Sequence, residues 1–258
     1  MMRTLLVRGM LAGLIAGVLA ALFAYFFGEP SVNTAIGLEA TGTAAHSHSH
    51  EPAATVGEVP HAEEPGGELV SRDVQSTVGL LVGVGLYGVA IGGLFSLGFA
   101  FVYGRVGKLR PRLTAAVLGF GAFAVVFFVP FLKYPANPPA VGQPNTIGTR
   151  TGLYFAFVAL SLLFGIVAVV VGRKLADKFG AWSGGLLAAG GYVVAMAVCA
   201  LVMPTIDEVP AGFPGSTLWS FRTASIGTQL VLWCALTLIF GAFSEKVLGN
   251  PKKSHQLT

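Results

Sequence analysis

The stretch GLYFAFVALSLLFGIVAVVVG, Gly152–Gly172, carries no Asp, Glu, Lys, Arg or His from end to end. A helix of about 20 residues crosses the roughly 30 Å of hydrocarbon in a bilayer. One ionisable side chain at its centre would cost about 2.5–3.5 kcal/mol. This run therefore predicts a transmembrane helix. Five others follow the same rule: Gly9–Phe27, Thr77–Tyr103, Leu113–Leu132, Ser183–Met203 and Ala224–Phe243. Lipid offers no partner to an exposed amide, so only helices or closed barrels span it. Barrel strands alternate polar and apolar over about ten residues, and these runs do not. The expectation is an all-α integral membrane protein with six transmembrane helices, forming a single polytopic domain over residues 1–258.

The sixteen basic residues fall unequally on the two sides. Arg3, Arg8, Arg105, Lys108, Arg110, Arg112, Arg173, Lys174, Lys178, Lys246, Lys252 and Lys253 lie on one, and Arg72, Lys133, Arg150 and Arg222 on the other. Basic flanks stay inside, so both termini are expected in the cytoplasm, with residues 244–258 as a cytoplasmic tail. Ten of the twelve acids, all but Asp177 and Glu245, lie on the opposite side. The net charge of +4 is this asymmetry and does not signal nucleic acid. Juxtamembrane basics also meet anionic lipid.

The basic start Met1–Arg8 resembles a signal peptide. The apolar run after it exceeds a signal core of about 7–15 residues, and no clear Ala-x-Ala site follows closely. Gly9, Gly13 and Gly17 form a stripe that admits another helix. A retained helix is expected; cleavage would leave five spans. Cys199 and Cys234 fall inside predicted helices, where packing is the ordinary role.

The spans read as three hairpins in tandem. Each outward helix ends in a charged residue followed closely by proline: Glu29-Pro30, Lys133-Tyr134-Pro135 and Asp207-Glu208-Val209-Pro210. Each external loop ends in an arginine, Arg72, Arg150 or Arg222. Gly85-Leu86-Tyr87 and Gly152-Leu153-Tyr154 lead to Gly104-Arg105 and Gly172-Arg173 at similar spacing. A true repeat would relate the units about an axis along the membrane normal, as in transporters that bind substrate between repeats. The alternative is that any such turn needs a proline and an interfacial arginine. The glycines of the second span, among them Gly79, Gly83, Gly88 and Gly92, suit close packing, or local unwinding beside a substrate path.

The segment 28–72 is expected to be a long, largely disordered external loop, too poor in apolar residues to fold alone. It holds His46, His48, His50, Glu51, His61, Glu63 and Glu64. Alternate imidazoles share one face of an extended chain and ligate divalent cobalt, nickel, copper or zinc. Metal capture is the sharper reading and a solvated low-complexity insertion the plainer one. The proline-dense Lys133, Tyr134, Pro135 and Asn137 form a rigid gate, a docking surface or a sturdy turn. Asp207 and Glu208 would concentrate cations at a mouth, or are solvated surface charge.

Several classes are excluded or disfavoured. The spans offer no ionisable side chain for a proton relay, leaving Cys199, Cys234, Met196, Met203, Gln229, hydroxyls or carbonyls as ligands there. No phosphate-binding Gly-rich loop with Lys is present, so coupling would need a potential, a gradient or a partner. No nucleophile–base set stands out, and the chain is not expected to be an enzyme.

Phe131-Leu132-Lys133-Tyr134-Pro135-Ala136-Asn137-Pro138-Pro139-Ala140-Val141-Gly142 resembles the hallmark segment of CbtA, a family of predicted cobalt transporter subunits. So do Met203–Pro214, Leu218-Trp219-Ser220-Phe221-Arg222 and Ala224-Ser225. The resemblance implies a multi-pass protein of the bacterial inner membrane, linked to cobalt uptake for cobalamin synthesis. It also implies a partner, a second and smaller membrane subunit. It implies no ligand set for these residues. The leading expectation is a divalent-metal permease subunit with no permanently bound cofactor and Co2+ as cargo, nickel and zinc being undistinguished. Its external His/acid loop, Asp207 and Glu208 would gather the ion, and Lys133, Tyr134, Pro135, Asn137 and Arg222 would frame its mouth or gate. A non-conducting scaffold or metal-responsive subunit is the alternative, and a permease for a small organic solute a third reading.

Overall fold

The computed structural model describes residues 2–47, 70–105 and 109–248. Seven helices account for nearly all of them: α1 Met2–Phe27, α2 Glu29–Ser47, α3 Arg72–Val102, α4 Pro111–Lys133, α5 Pro144–Phe179, α6 Ala181–Val202 and α7 Gly215–Leu248. All but α2 are long and apolar enough to cross a membrane. Among the described residues there is no strand. The helices α4, α5 and α7 overrun their apolar runs at both ends, where long basic side chains keep their charge in water or headgroups. Pro111 and Pro144 open α4 and α5, where a missing N–H costs nothing. Gly180, at φ +85°, breaks α5 from α6, a backbone that L side chains rarely adopt.

The centre of the bundle is built by α1, α3, α4 and α7. Its buried side chains include Ala12, Ala16, Phe95, Phe99, Ala115, Trp233, Leu236 and Phe240. Phe240 meets Phe99 and Phe95 edge-on, with ring centroids 5.1 and 5.4 Å apart. The α1–α3 contact depends on absent side chains. A Cβ built on Gly13 would stand 2.1 Å from the Gly88 carbonyl oxygen, and one on Gly92 would stand 2.2 Å from that of Gly9. The stripe foreseen in the first helix thus packs against Gly88 and Gly92, while Gly83 faces open space. Close packing, and not unwinding, explains Gly88 and Gly92, since α3 stays helical through both.

At one end of the bundle the starts of α1 and α4 meet the end of α7. Arg8 donates to the Phe243 carbonyl at 2.7 Å, and the Arg112 amide donates to Glu245 Oε2 at 3.0 Å. That carboxylate satisfies an N-terminal helix amide with the favourable sign of charge.

The helix α4 passes through a π-helical stretch, Phe123–Phe128. Within it the Val125 carbonyl accepts from Ser161 Oγ of α5 at 2.6 Å, and Tyr192 OH of α6 lies 2.7 Å from the same Oγ. Serine has one hydroxyl proton, so Tyr192 is the donor to Ser161. This chain of bonds ties α4, α5 and α6 together.

Two features differ from the sequence reading. Residues 29–47 form α2 where a largely disordered loop is expected. Glu29 and Pro30 sit in its first turn, where both residue types are tolerated or favoured, Ala35 is fully buried, and the helix rests on α1 and α7. The third hairpin is open: α6 lies along α5 and makes no comparable contact with α7, its neighbour in sequence.

Candidate functional site

At the end of the bundle opposite the Arg8–Phe243 contact, a cavity of about 670 Å³ lies between the second and third helix pairs. The end of α4 and the segment 134–143 form one wall, the start of α5 another, and residues 206–209 with Arg222 of α7 the third. All seven expected mouth residues, Lys133, Tyr134, Pro135, Asn137, Asp207, Glu208 and Arg222, line it. Proline density gives the wall between α4 and α5 its fixed course.

The two proline-bearing segments latch each other reciprocally. Arg222 donates to Asn137 Oδ1 at 2.9 Å, and Arg150 Nε lies 3.4 Å from Glu208 Oε2. Each arginine thus reaches into the other pair's proline-bearing segment. Lys133 Nζ donates to Thr205 Oγ1 at 3.1 Å and Tyr134 OH to the Pro204 carbonyl at 2.8 Å. Glu208 also accepts from the Gln143 amide at 3.0 Å. The Thr146 hydroxyl, that amide and the Arg150 charge hold the Glu208 carboxyl below its ordinary range, against the opposing effect of desolvation. Desolvation pushes the Tyr134 phenol up, in keeping with its role as a donor. The first pair is latched within itself: Arg72 pairs with Glu29 and donates to Asn33 Oδ1 at 3.0 Å.

Gly142 is fixed by two demands. Its φ is +116°, and a Cβ there would stand 2.2 Å from Arg150 Nη1. The guanidinium therefore lies across bare backbone, which sets the direction from which it approaches Glu208.

Tyr154 lines the cavity, and Tyr87 of α3 lies near it and near Gln229 of α7. Gln229 Oε1 and, one turn on, Trp233 Nε1 are buried with no partner among the described residues. The repeated Gly-Leu-Tyr signals of the sequence thus bring their two tyrosines to one place.

The sequence reading missed Arg150, Gln143, Thr146 and Thr205 as site residues. Arg150 was legible as one of three loop-ending arginines; the others gave no signal, because they act through backbone position or a neutral hydroxyl. Of the expected metal-capturing residues, the backbone of His46 belongs to the last turn of α2. His48, His50, Glu51, His61, Glu63 and Glu64 lie outside the described residues. Among the described residues no three His, Cys, Asp or Glu gather as a metal-binding group.

Six helices long and apolar enough to cross a membrane define the class: a polytopic helical membrane protein. The sequence model of the family described as "Probable cobalt transporter subunit (CbtA)" matches residues 2–245. The chain belongs to that family, whose members are classed as components of transporters and not as enzymes. No curated protein and no solved structure matches it.

Proposed function

We propose that the chain is the permease subunit of a cobalt importer in the bacterial inner membrane, with both termini cytoplasmic. The cavity is the external mouth, and the line Tyr154, Tyr87, Gln229 and Trp233 is the start of the inward path. The observation that carries this reading is the meeting of both proline-bearing segments, with their charged residues, around one cavity. Charge supports the orientation, since the cavity end bears the acid-rich loops and the opposite end the basic flanks. The His/acid segment, His46, His48, His50, Glu51, His61, Glu63 and Glu64, captures the ion from outside, and its imidazoles accept nickel or zinc as well as cobalt. A second, small membrane subunit completes the transporter.

The test is accumulation of radiolabelled cobalt by cells that lack their own cobalt uptake and express this chain, with and without the small subunit. Saturable accumulation that falls with Arg222→Gln supports a conducting role. Absence of accumulation under both conditions would reduce the chain to a non-conducting scaffold.

A further inference from the structure

The charges around the cavity do not suit a bare cation. Lys133, Arg150 and Arg222 line it together with Asp207 and Glu208, three positive groups against two negative. Glu208 is already committed to Arg150 and to the Gln143 amide. Lys133 has neutral partners, Thr205 Oγ1 and the Tyr134 ring, as does Arg222, Asn137 Oδ1 and the Ala136 carbonyl, and neither pairs with a carboxylate among the described residues. Arg150 Nε is buried and donates no hydrogen bond among the described residues, its distance to Glu208 being an ion-pair distance only. Two cations held only by neutral partners, and a guanidinium Nε with no hydrogen bond, line the cavity, and such donors suit a carboxylate-bearing ligand.

Size points the same way. A divalent ion with six waters fills about 180 Å³ at roughly 30 Å³ per water, whereas the cavity measures about 670 Å³. Phe127, Phe131, Tyr134 and Tyr154 supply apolar wall that a hydrated ion would not use. Pockets of this volume and mixed lining are typical of small organic ligands.

We infer that the cavity binds its metal as an anionic chelate, a divalent ion already held by a small polycarboxylate, through Lys133, Arg222 and Arg150. The inference rests on the importer reading for its metal, but its anion site does not depend on transport.

Citrate serves as the probe. Equilibrium dialysis of radiolabelled citrate against the full-length chain in neutral detergent, with and without cobalt, reads binding directly. Citrate is expected to bind at low ionic strength, and the double variant Lys133→Gln/Arg222→Gln to weaken it about tenfold or more. Asp207→Asn removes a repelling charge and is expected to strengthen binding, a gain that misfolding does not produce. The inference is overturned if wild-type protein does not retain citrate. It is equally overturned if the double variant retains citrate as well as wild type does, or if Asp207→Asn leaves binding unchanged. Cobalt uptake that persists without citrate binding would sink this inference and leave the importer reading standing. Citrate binding without cobalt uptake in any form would do the reverse.

Discussion

The α1–α3 contact yields the sharpest prediction, because opposite outcomes are expected for the same substitution at two glycines. A methyl on Gly13 would stand 2.1 Å from the Gly88 carbonyl oxygen, with the Gly92 Cα at 3.0 Å. Both obstacles are backbone, so no rotamer change relieves them. Restoring ordinary contact needs the helices to part by roughly 1 Å or more, against a preferred separation of about 3.5–4.0 Å for carbon atoms. That separation loosens the close approach along Gly9, Gly17, Gly88 and Gly92 as well. In a bilayer, where packing drives helix association, overpacking of this kind costs about 1–3 kcal/mol. Gly190→Ala in α6 is the control, since a Cβ there meets nothing within 4 Å. It should be neutral or stabilising by a few tenths of a kcal/mol, as alanine is the better helix former by roughly 1 kcal/mol at most. Equilibrium unfolding in mixed detergent and SDS micelles, followed by tryptophan fluorescence, reads both. Equal stability of Gly13→Ala and Gly190→Ala would refute the packing argument.

Other consequences follow from the site and its supports. Gly142→Ala forces a side chain onto a backbone at φ +116°, at a cost of about 1–3 kcal/mol. It should displace Arg150 and abolish cobalt uptake while the helix content by circular dichroism stays unchanged. Ser161→Ala strands the Val125 carbonyl and the Tyr192 hydroxyl, costing about 1–3 kcal/mol. Adding Tyr192→Phe should return part of that loss, which a double-mutant cycle of unfolding energies would show. The pH dependence of uptake separates capture from latch. Because the Glu208 pKa lies below its ordinary value of 4.5, the contribution of its charge is complete above that value. It is lost only as pH falls through the lower folded value, so the latch stays intact from pH about 7 to 5. Imidazole ligands protonate near pH 6.5. Uptake at low cobalt should therefore fall between about pH 7.5 and 5.5, and deletion of Ala45–Glu64 should flatten that profile. A profile unchanged by the deletion would count against capture by the His segment.

The six spans were legible because a charge-free run long enough to cross a bilayer has few other uses. Gly152–Gly172 alone carries that message. Which face of each span meets protein was much less legible, since lipid-facing and buried surfaces are equally apolar. The glycine stripe of α1 was the exception, as small residues mark an interface directly. Hydropathy treats each helix alone and so could not show that α6 leaves α7 for α5. The residues expected at a mouth, which line one cavity, were legible as a set because proline and charge cluster between the apolar runs at few places. Their partners were not: the exchange of Arg150 and Arg222 between helix pairs is a tertiary fact with no local pattern. The helical course of residues 29–47 was missed for a related reason. Its weak apolar content suffices only because Ala35 and its neighbours rest on α1 and α7.

The central claim is that this chain conducts metal. Its most direct test is radiolabelled cobalt uptake into proteoliposomes holding the purified full-length protein, under an inside-negative potential and supplied with cobalt free or as its citrate complex. Nickel and zinc serve as competitors. The potential is worth about 2.3 kcal/mol per charge per 100 mV, so uptake of a cationic species should rise with it, and uptake of a neutral or anionic complex should not. Saturable uptake of either form above empty liposomes, reduced by Gly142→Ala, is the predicted result. Uptake no greater than in empty liposomes for both forms, whether or not the small subunit is present, would contradict the account.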